Sequence, residues 1–137
     1  MINGINTSLS GLLAASTRAS TAANNIVNAY NTSTPAGGDT QTAALRTSRA
    51  YVPQRVANSS QKHGGVIATK FSINPASLTV YSPDNPIAND SGFINIPNVD
   101  PAVEFSELIK AKHAYKANIA VLRTLYDTQD AALDIIK

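Results

Sequence analysis

Apolar side chains recur in alternating steps of three and four residues at both ends of this chain and nowhere between them. At the N-terminal end the row is Ile2, Ile5, Leu9, Leu12, Ser16, Ala19, Ala23, Ile26 and Tyr30. At the C-terminal end it is Phe105, Leu108, Lys112, Tyr115, Ile119, Leu122, Tyr126, Gln129, Leu133 and Ile136, broken only by Lys112 and Gln129. This alternation keeps one stripe on one side of an α-helix, the pattern of a helix packed on a helix. Two such stripes predict a mainly α fold. Two long terminal helices pair as an antiparallel coiled coil, and an irregular, β-containing insert lies at the far end.

Local signals mark the helix ends. Asn28 to Asn31 suit a left-handed C-cap, and Thr34-Pro35 stops the first helix, because proline disfavours helix in the residue before it. Gly37-Gly38 marks a flexible exit. Asp100-Pro101 combines an N-cap oxygen with proline at the first helical position. No Gly or Pro follows Pro101, so the second helix runs to the end, about 55 Å if unbroken.

The middle holds six of the seven prolines. Residues 65–73 and 77–81 are strand-like, with Ile67, Phe71 and Ile73 on one alternating face and Asn74-Pro75 as a turn between them. Residues 82–92 are turn chemistry, 93–96 suit a short strand, and 39–60 show no firm period. The organisation expected is a helical domain (1–34 and 100–137) and an insert (35–99) with a β-hairpin.

The N-terminal helix lacks the charged face that solvent normally demands. Arg18 is its one ionisable side chain, and charged residues make up only 15% of the whole chain, against roughly 25% in a typical globular protein. A second row of small residues, Gly4, Ser8, Gly11, Ala15 and Ala22, is interrupted by Arg18. Ser, Thr, Asn and Gly are poor helix formers, and no i,i+4 ion pairs compensate. Packing must supply the difference. The expectation is that the large stripe meets the C-terminal helix and that neighbouring subunits cover the small row, so the helix folds on assembly.

Other classes are excluded or disfavoured. A net charge of +2 is too small to argue for nucleic acid or an anionic membrane. Arg46, Arg49, Arg55, Lys62 and Lys70 run without an intervening acid, but they read as a solvated segment, with a small non-enzymatic binding module using residues 46–70 as the alternative. The absence of cysteine removes disulfides, thiolate metal sites and cysteine nucleophiles. His63 and His113 stand alone, no serine sits in G-x-S-x-G, and the GG pairs lack the lysine of a phosphate loop. No enzyme, cofactor or metal is expected. The N-terminal apolar run is too short for a secretory signal, and no stretch reaches a membrane span.

Three segments together resemble the flagellar rod, hook and filament axial family. Residues 20–32, STAANNIVNAYNT, look like its N-terminal signature, matched by Asn25, Ile26, Asn28, Asn31 and Thr32, with Val27 for the usual Ala and Tyr30 ahead of Asn31. Residues 103–127 resemble its C-terminal signature, matched by Glu104, Phe105, Leu108, Ile109, Ala111, Tyr115, Ala117 and Asn118, with His113 where Arg is usual. Residues 80–101 are similar to a stretch of its short proximal-rod branch, matched by Tyr81, Pro83, Pro86, Ala88, Gly92, Phe93, Pro97, Asn98 and Val99.

The resemblance implies a structural subunit of the bacterial flagellar basal-body rod, placed in the proximal rod and assembling helically through its terminal helices. It also implies that the helical domain is the inner one and the insert the outer one. Another flagellar axial subunit or a type III secretion rod subunit is the alternative. The implied partners are copies of the chain, other rod proteins and the flagellar type III export apparatus. Export without a cleaved signal to the rod, in the periplasmic space, is implied as well. The expected assembly surface on the N-terminal helix is Ile2, Ile5, Leu9, Leu12, Ala19, Ala23, Asn25, Ile26, Asn28 and Asn31. On the C-terminal helix it is Phe105, Leu108, Ile109, Tyr115, Asn118, Ile119, Leu122, Tyr126, Leu133 and Ile136. In the insert the family-motif positions are Tyr81, Pro83, Pro86, Gly92, Pro97 and Asn98.

Overall fold

A computed structural model describes residues 2–35, 50–62 and 64–135. Helices α1 (Ile2–Val27) and α2 (Pro101–Asp134) flank four strands: β1 (Gln54–Ser60), β2 (Val66–Ser72), β3 (Ser77–Tyr81) and β4 (Phe93–Pro97). Helix α2 starts as its sequence requires. Asp100 Oδ1 accepts from the amides of Ala102 at 2.9 Å and Val103 at 3.4 Å, with Pro101 at the first helical position. Helix α1 gives way to turns at Asn28, within the asparagine-rich stretch expected to end it. Gly37, Gly38, Arg46, Arg49 and His63 lie outside the described residues.

Three contacts set the register of the helices. Gly4 faces Leu125, Gly11 faces Asn118, and Asn25 hydrogen-bonds Glu104. Each step of seven or fourteen residues up α1 is matched by an equal step down α2. The pair is therefore antiparallel and keeps heptad register throughout.

The inward row on α1 is not the large apolar stripe. Ser8, Ala15, Ala22, Asn25 and Ala29 are buried, and Gly4, Gly11 and Arg18 share their 3-4 row. Opposite them Ala111 is the most buried residue of α2. Thus the small row expected to meet other subunits is covered by this chain's own second helix. The reason is steric. The seam row carries the one charge of α1, Arg18, so freedom from charge does not choose the seam; the smallest side chains do, because they let two backbones come closest. A Cβ on Gly4 would already touch Leu125 at 3.4 Å. The α2 seam is likewise shifted from the expected stripe. It keeps Leu108 and Leu122 but takes Glu104, Ala111, Asn118 and Leu125 in place of Phe105, Lys112, Ile119 and Tyr126.

Strand pairing also departs from the expected order. Residues 66–72 pair antiparallel with β1, from Gln54↔Ser72 to Ser60↔Val66, rather than with 77–81. Strand β3 pairs with β4, from Ser77↔Pro97 to Tyr81↔Phe93. The Asn74-Pro75 turn therefore passes the chain from one two-stranded sheet to the other. Strand β1, Gln-Arg-Val-Ala-Asn-Ser-Ser, carries too little apolar alternation to announce itself.

The β1–β2 hairpin lies along one side of α1 and is tied at both ends. At its base Asn25 bonds the backbone of Gln54; at its tip the Val66 amide donates to Ser10 Oγ at 3.1 Å. Val56, Val66 and Ala68 are half-buried, while Ile67 and Phe71 point outward, the reverse of the parity expected from their size. Gly65 explains the choice. Its φ is +90°, and a Cβ there would sit 2.5 Å from Ser10 Oγ, so only glycine lets the turn close on the helix.

Candidate assembly interface

One polar cluster joins the three parts of the chain. Asn25 is fully buried. Its Nδ2 donates to the Gln54 carbonyl at 2.7 Å and to Glu104 Oε1 at 2.9 Å. Its Oδ1 accepts from Tyr51 Oη at 2.7 Å and from the Gln54 amide at 3.2 Å. Both donors and both acceptor sites of the amide are used, so the burial leaves nothing unpaired. Burial raises the Glu104 carboxyl above the ordinary glutamate range, against the lowering pull of the Asn25 bond and of Arg55. Burial also raises Tyr51, with the Glu104 charge adding to it. Glu107 is held down, chiefly by its 2.8 Å bond to Lys110 Nζ.

This cluster corrects one expectation and explains another. Asn25 was expected on the assembly surface, yet it is enclosed by its own chain. The N- and C-terminal signature residues Asn25 and Glu104 meet directly, and Asn118 of the C-terminal signature meets Gly11 of the small-residue row. Tyr51 and Gln54 were not singled out by sequence, because they fall in a stretch without periodicity.

Between the hairpin and the helices runs an open cleft of about 310 Å³, lined by Arg18, Thr21, Gln54, Arg55, Glu104 and Glu107 among others. Arg55 and Arg18 act there on the Glu107 carboxylate, so two cations of the chain already face its own acids. The insert motif forms a further small unit. The rings of Tyr81 and Phe93 pack edge to face at 5.3 Å, and Gly92, at φ +78°, leaves room for Tyr81 and Pro83. Asn98 ties the strand end back, donating from N and Nδ2 to the carbonyls of Ala76 and Pro75, both at 2.9 Å. Pro97 is buried and Pro86 exposed.

Most of the remaining expected surface residues converge on one side of the helix pair. Heptad register puts the hairpin beside Thr7, Ala14 and Thr21 of α1 and Glu107 and Ala114 of α2. The opposite flank of α1 carries Ile5, Leu12, Ala19 and Ile26, all half-buried, and beside them Leu9 and Ala23, both exposed. The same flank of α2 carries Phe105, Ile109, Lys112, Ile119 and Tyr126. The register sets Ile26 level with Phe105, Leu12 with Ile119 and Ile5 with Tyr126. Leu108 and Leu122 belong to the seam, and Tyr115, on the same row, is 43% exposed. Asn28 is half-buried and Asn31 exposed; the side chain of Ile2 and the whole of Ile136 lie outside the described residues.

The large apolar residues are on the outside. Leu9, Leu13 and Val27 of α1, Tyr30 in the turn after it, and Phe105, Ile109, Tyr126 and Leu133 of α2 are each about half exposed or more, Tyr30 at 84%. On a single chain these residues leave large apolar side chains open to solvent along one flank. Several polar side chains along the helices are satisfied locally: Thr17, Asn24 and Asn28 of the N-terminal segment and Ser106, Thr124 and Thr128 of α2 donate to carbonyls of the preceding turn. Covering the outward face also desolvates almost no charge on α1. No helix among the described residues is long and apolar enough to cross a membrane. No group of three or more potential metal ligands is found among them either.

Comparison with known proteins points the same way. The family described as flagellar basal body rod FlgEFG protein C-terminal matches residues 90–135. Flagellar basal-body rod protein FlgC of Yersinia enterocolitica is 34% identical over 116 residues, covering 84% of this chain and 82% of that protein. The FlgC of Salmonella typhimurium is 34% identical over 117 residues, covering 85% and 83%. That of Escherichia coli O157:H7 is 30% identical over 116 residues, with the same coverage of both chains.

Proposed function

The chain belongs to the flagellar basal-body rod protein FlgC family, a structural and non-enzymatic family, and on that premise we propose that it is a subunit of the proximal rod that assembles helically through its terminal helices. Its partners are copies of itself and other rod proteins, and the flagellar type III export apparatus delivers it to the rod in the periplasmic space. Residues 1–34 and 100–137 act as the inner helical domain and 35–99 as the outer insert.

The observation that carries this reading is the apolar face on the side of the helix pair away from the hairpin. A lone soluble domain gains nothing by placing Leu9, Leu13, Phe105 and Ile109 in water while it buries Ala and Ser. A rod subunit gains a dry contact on every neighbour. The assembly residues are Ile5, Leu9, Leu12, Ala19, Ala23 and Ile26 of α1 with Phe105, Ile109, Ile119, Tyr126 and Leu133 of α2.

Paired substitutions Leu9→Glu and Leu13→Glu test it. Both sites are exposed, so the purified variant keeps the circular dichroism spectrum of the natural chain. It is expected to be missing from isolated basal bodies and to leave cells non-motile. Motile cells carrying both charges would overturn the assignment of this face.

A further inference from the structure

We propose that the outward face of the β1–β2 hairpin of one copy packs on the apolar flank of the helix pair of a second copy, displaced by one heptad so that Lys62 of the first meets Asp130 of the second. The inference rests on the rod reading above and names what covers the flank. A rod needs a contact that repeats without closing, made by two different surfaces of each copy.

The chain carries two such surfaces on opposite sides. One is the flank of Ile5, Leu9 and Leu12 of α1 and Phe105, Ile109 and Tyr126 of α2. The other is the hairpin, which covers the opposite flank and turns its largest side chains outward. Ile67 is 50% exposed and Phe71 47%. A copy can therefore hold one neighbour on each side without the two competing for space. Arg55, across the ladder from Phe71, already faces Glu104 and Glu107 of its own chain. Lys70, across from Val56, belongs to the other face of the ladder. Lys62, exposed in the turn at the hairpin tip, is the charge this surface brings to a neighbour.

Charge fixes the displacement, because apolar residues run the whole length of the flank. A Cβ on Gly64 would stand 3.3 Å from Thr7 Oγ1, so the hairpin tip lies level with Thr7. The pairing of Gly4 with Leu125 and Gly11 with Asn118 sets Thr7 level with Leu122 and Arg123. Two copies side by side in register would therefore set Lys62 on Arg123. Moving the neighbour by one heptad in one direction brings Lys116 there instead. Moving it in the other direction, by about 10 Å, brings Asp130, which is the one acid on the outward rows of the flank among the described residues. Ile67 then falls beside Ile5 and Tyr126. Phe71, five residues and about 17 Å along the strand from Val66, falls beside Leu12 and Lys116, whose ammonium can lie on its ring. Charged flanking positions choose register in coiled coils by the same means.

The chain has no cysteine, so introduced cysteines are its only thiols. The full chain with Lys62→Cys and Asp130→Cys replaces the natural one in the native bacterium, and isolated basal bodies are treated with a short bis-maleimide. Positions 62 and 130 of one copy lie on opposite sides of the helix pair, so a link between them joins two copies. Cross-linked dimers, trimers and larger species of this chain are expected from the double variant, and none from either single variant. Dimers from either single variant would show like surfaces meeting and overturn the proposal. So would a double variant that stops at dimers, or one incorporated without cross-linked copies, as when another rod protein covers the hairpin. If the double variant is not incorporated, charge exchange decides. Lys62→Asp or Asp130→Lys alone should lower incorporation about tenfold, and the two together should restore it. Natural incorporation of either single variant, or no rescue by the pair, overturns the contact. Absence of the natural chain from basal bodies would instead remove the rod reading itself.

Discussion

Gly11 and Asn118 meet across the seam so closely that a Cβ on Gly11 would stand 2.6 Å from Asn118 Oδ1. Asn118 is held in place by its own bond from Nδ2 to the Ala114 carbonyl at 2.8 Å. Gly11→Ala gains about 1 kcal/mol of helix propensity but displaces Asn118 and loses that bond, worth about 1 kcal/mol. The single variant should be close to neutral in chemical denaturation. Gly11→Ala with Asn118→Ala should exceed the sum of the two single changes, because the clash is gone. Strict additivity would mean the two residues do not touch.

Asn25 offers a sharper test of the junction. Asn25→Ala strips partners from the Gln54 backbone, Tyr51 and Glu104 at once. With about 1–3 kcal/mol for each buried group left unpaired, a loss of at least about 3 kcal/mol is expected. Asn25→Asp should be worse near neutral pH, since it sets a carboxylate beside Glu104, and should recover partly in acid. A loss under 1 kcal/mol on Asn25→Ala would contradict the network.

Glu104 makes stability depend on pH in a known direction. Burial raises its carboxyl, so the folded state holds the proton more tightly than the unfolded chain. Its contribution is full below the ordinary glutamate value and is lost as pH rises through the raised folded value. Glu104→Gln keeps the acceptor for Asn25 and removes the titration. Unfolding free energies measured from about pH 4 to pH 7 should show the variant gaining on the natural chain as pH rises. Glu107, shifted the opposite way, is common to both chains and cancels in the difference. Parallel curves would refute the burial of Glu104.

The hairpin tip can be released on its own. Gly65→Ala forces a residue with a side chain to φ +90° and drives its Cβ into Ser10 Oγ. The bond from the Val66 amide to that oxygen should break. Amide exchange at Val66 should quicken at least tenfold while α1 keeps its protection. Unchanged exchange there would show that the turn does not lean on the helix.

Much of the fold is legible residue by residue. Asp100-Pro101 starts α2, the run from Asn28 to Pro35 ends α1, and the 3-4 spacing of both ends requires helices in contact. These are local effects of capping, backbone sterics and periodicity, which a linear chain carries whatever surrounds it. Signature residues at both ends likewise announced the family before any contact was known.

Tertiary structure decided which face goes where. Leu9 and Ala15 lie on rows of equal 3-4 regularity, and the row of Ala15 is the one that carries Arg18, so charge did not decide between them. Close approach of two backbones selects the row of Gly, Ala and Ser, and the large residues are left on the outside. Pairing of 66–72 with 54–60 was decided the same way, by Asn25 and Ser10 holding a weakly patterned strand against α1. Periodicity is a property of one segment, whereas seam, register and strand partner are differences between competing contacts. Only the folded chain brings those contacts into competition.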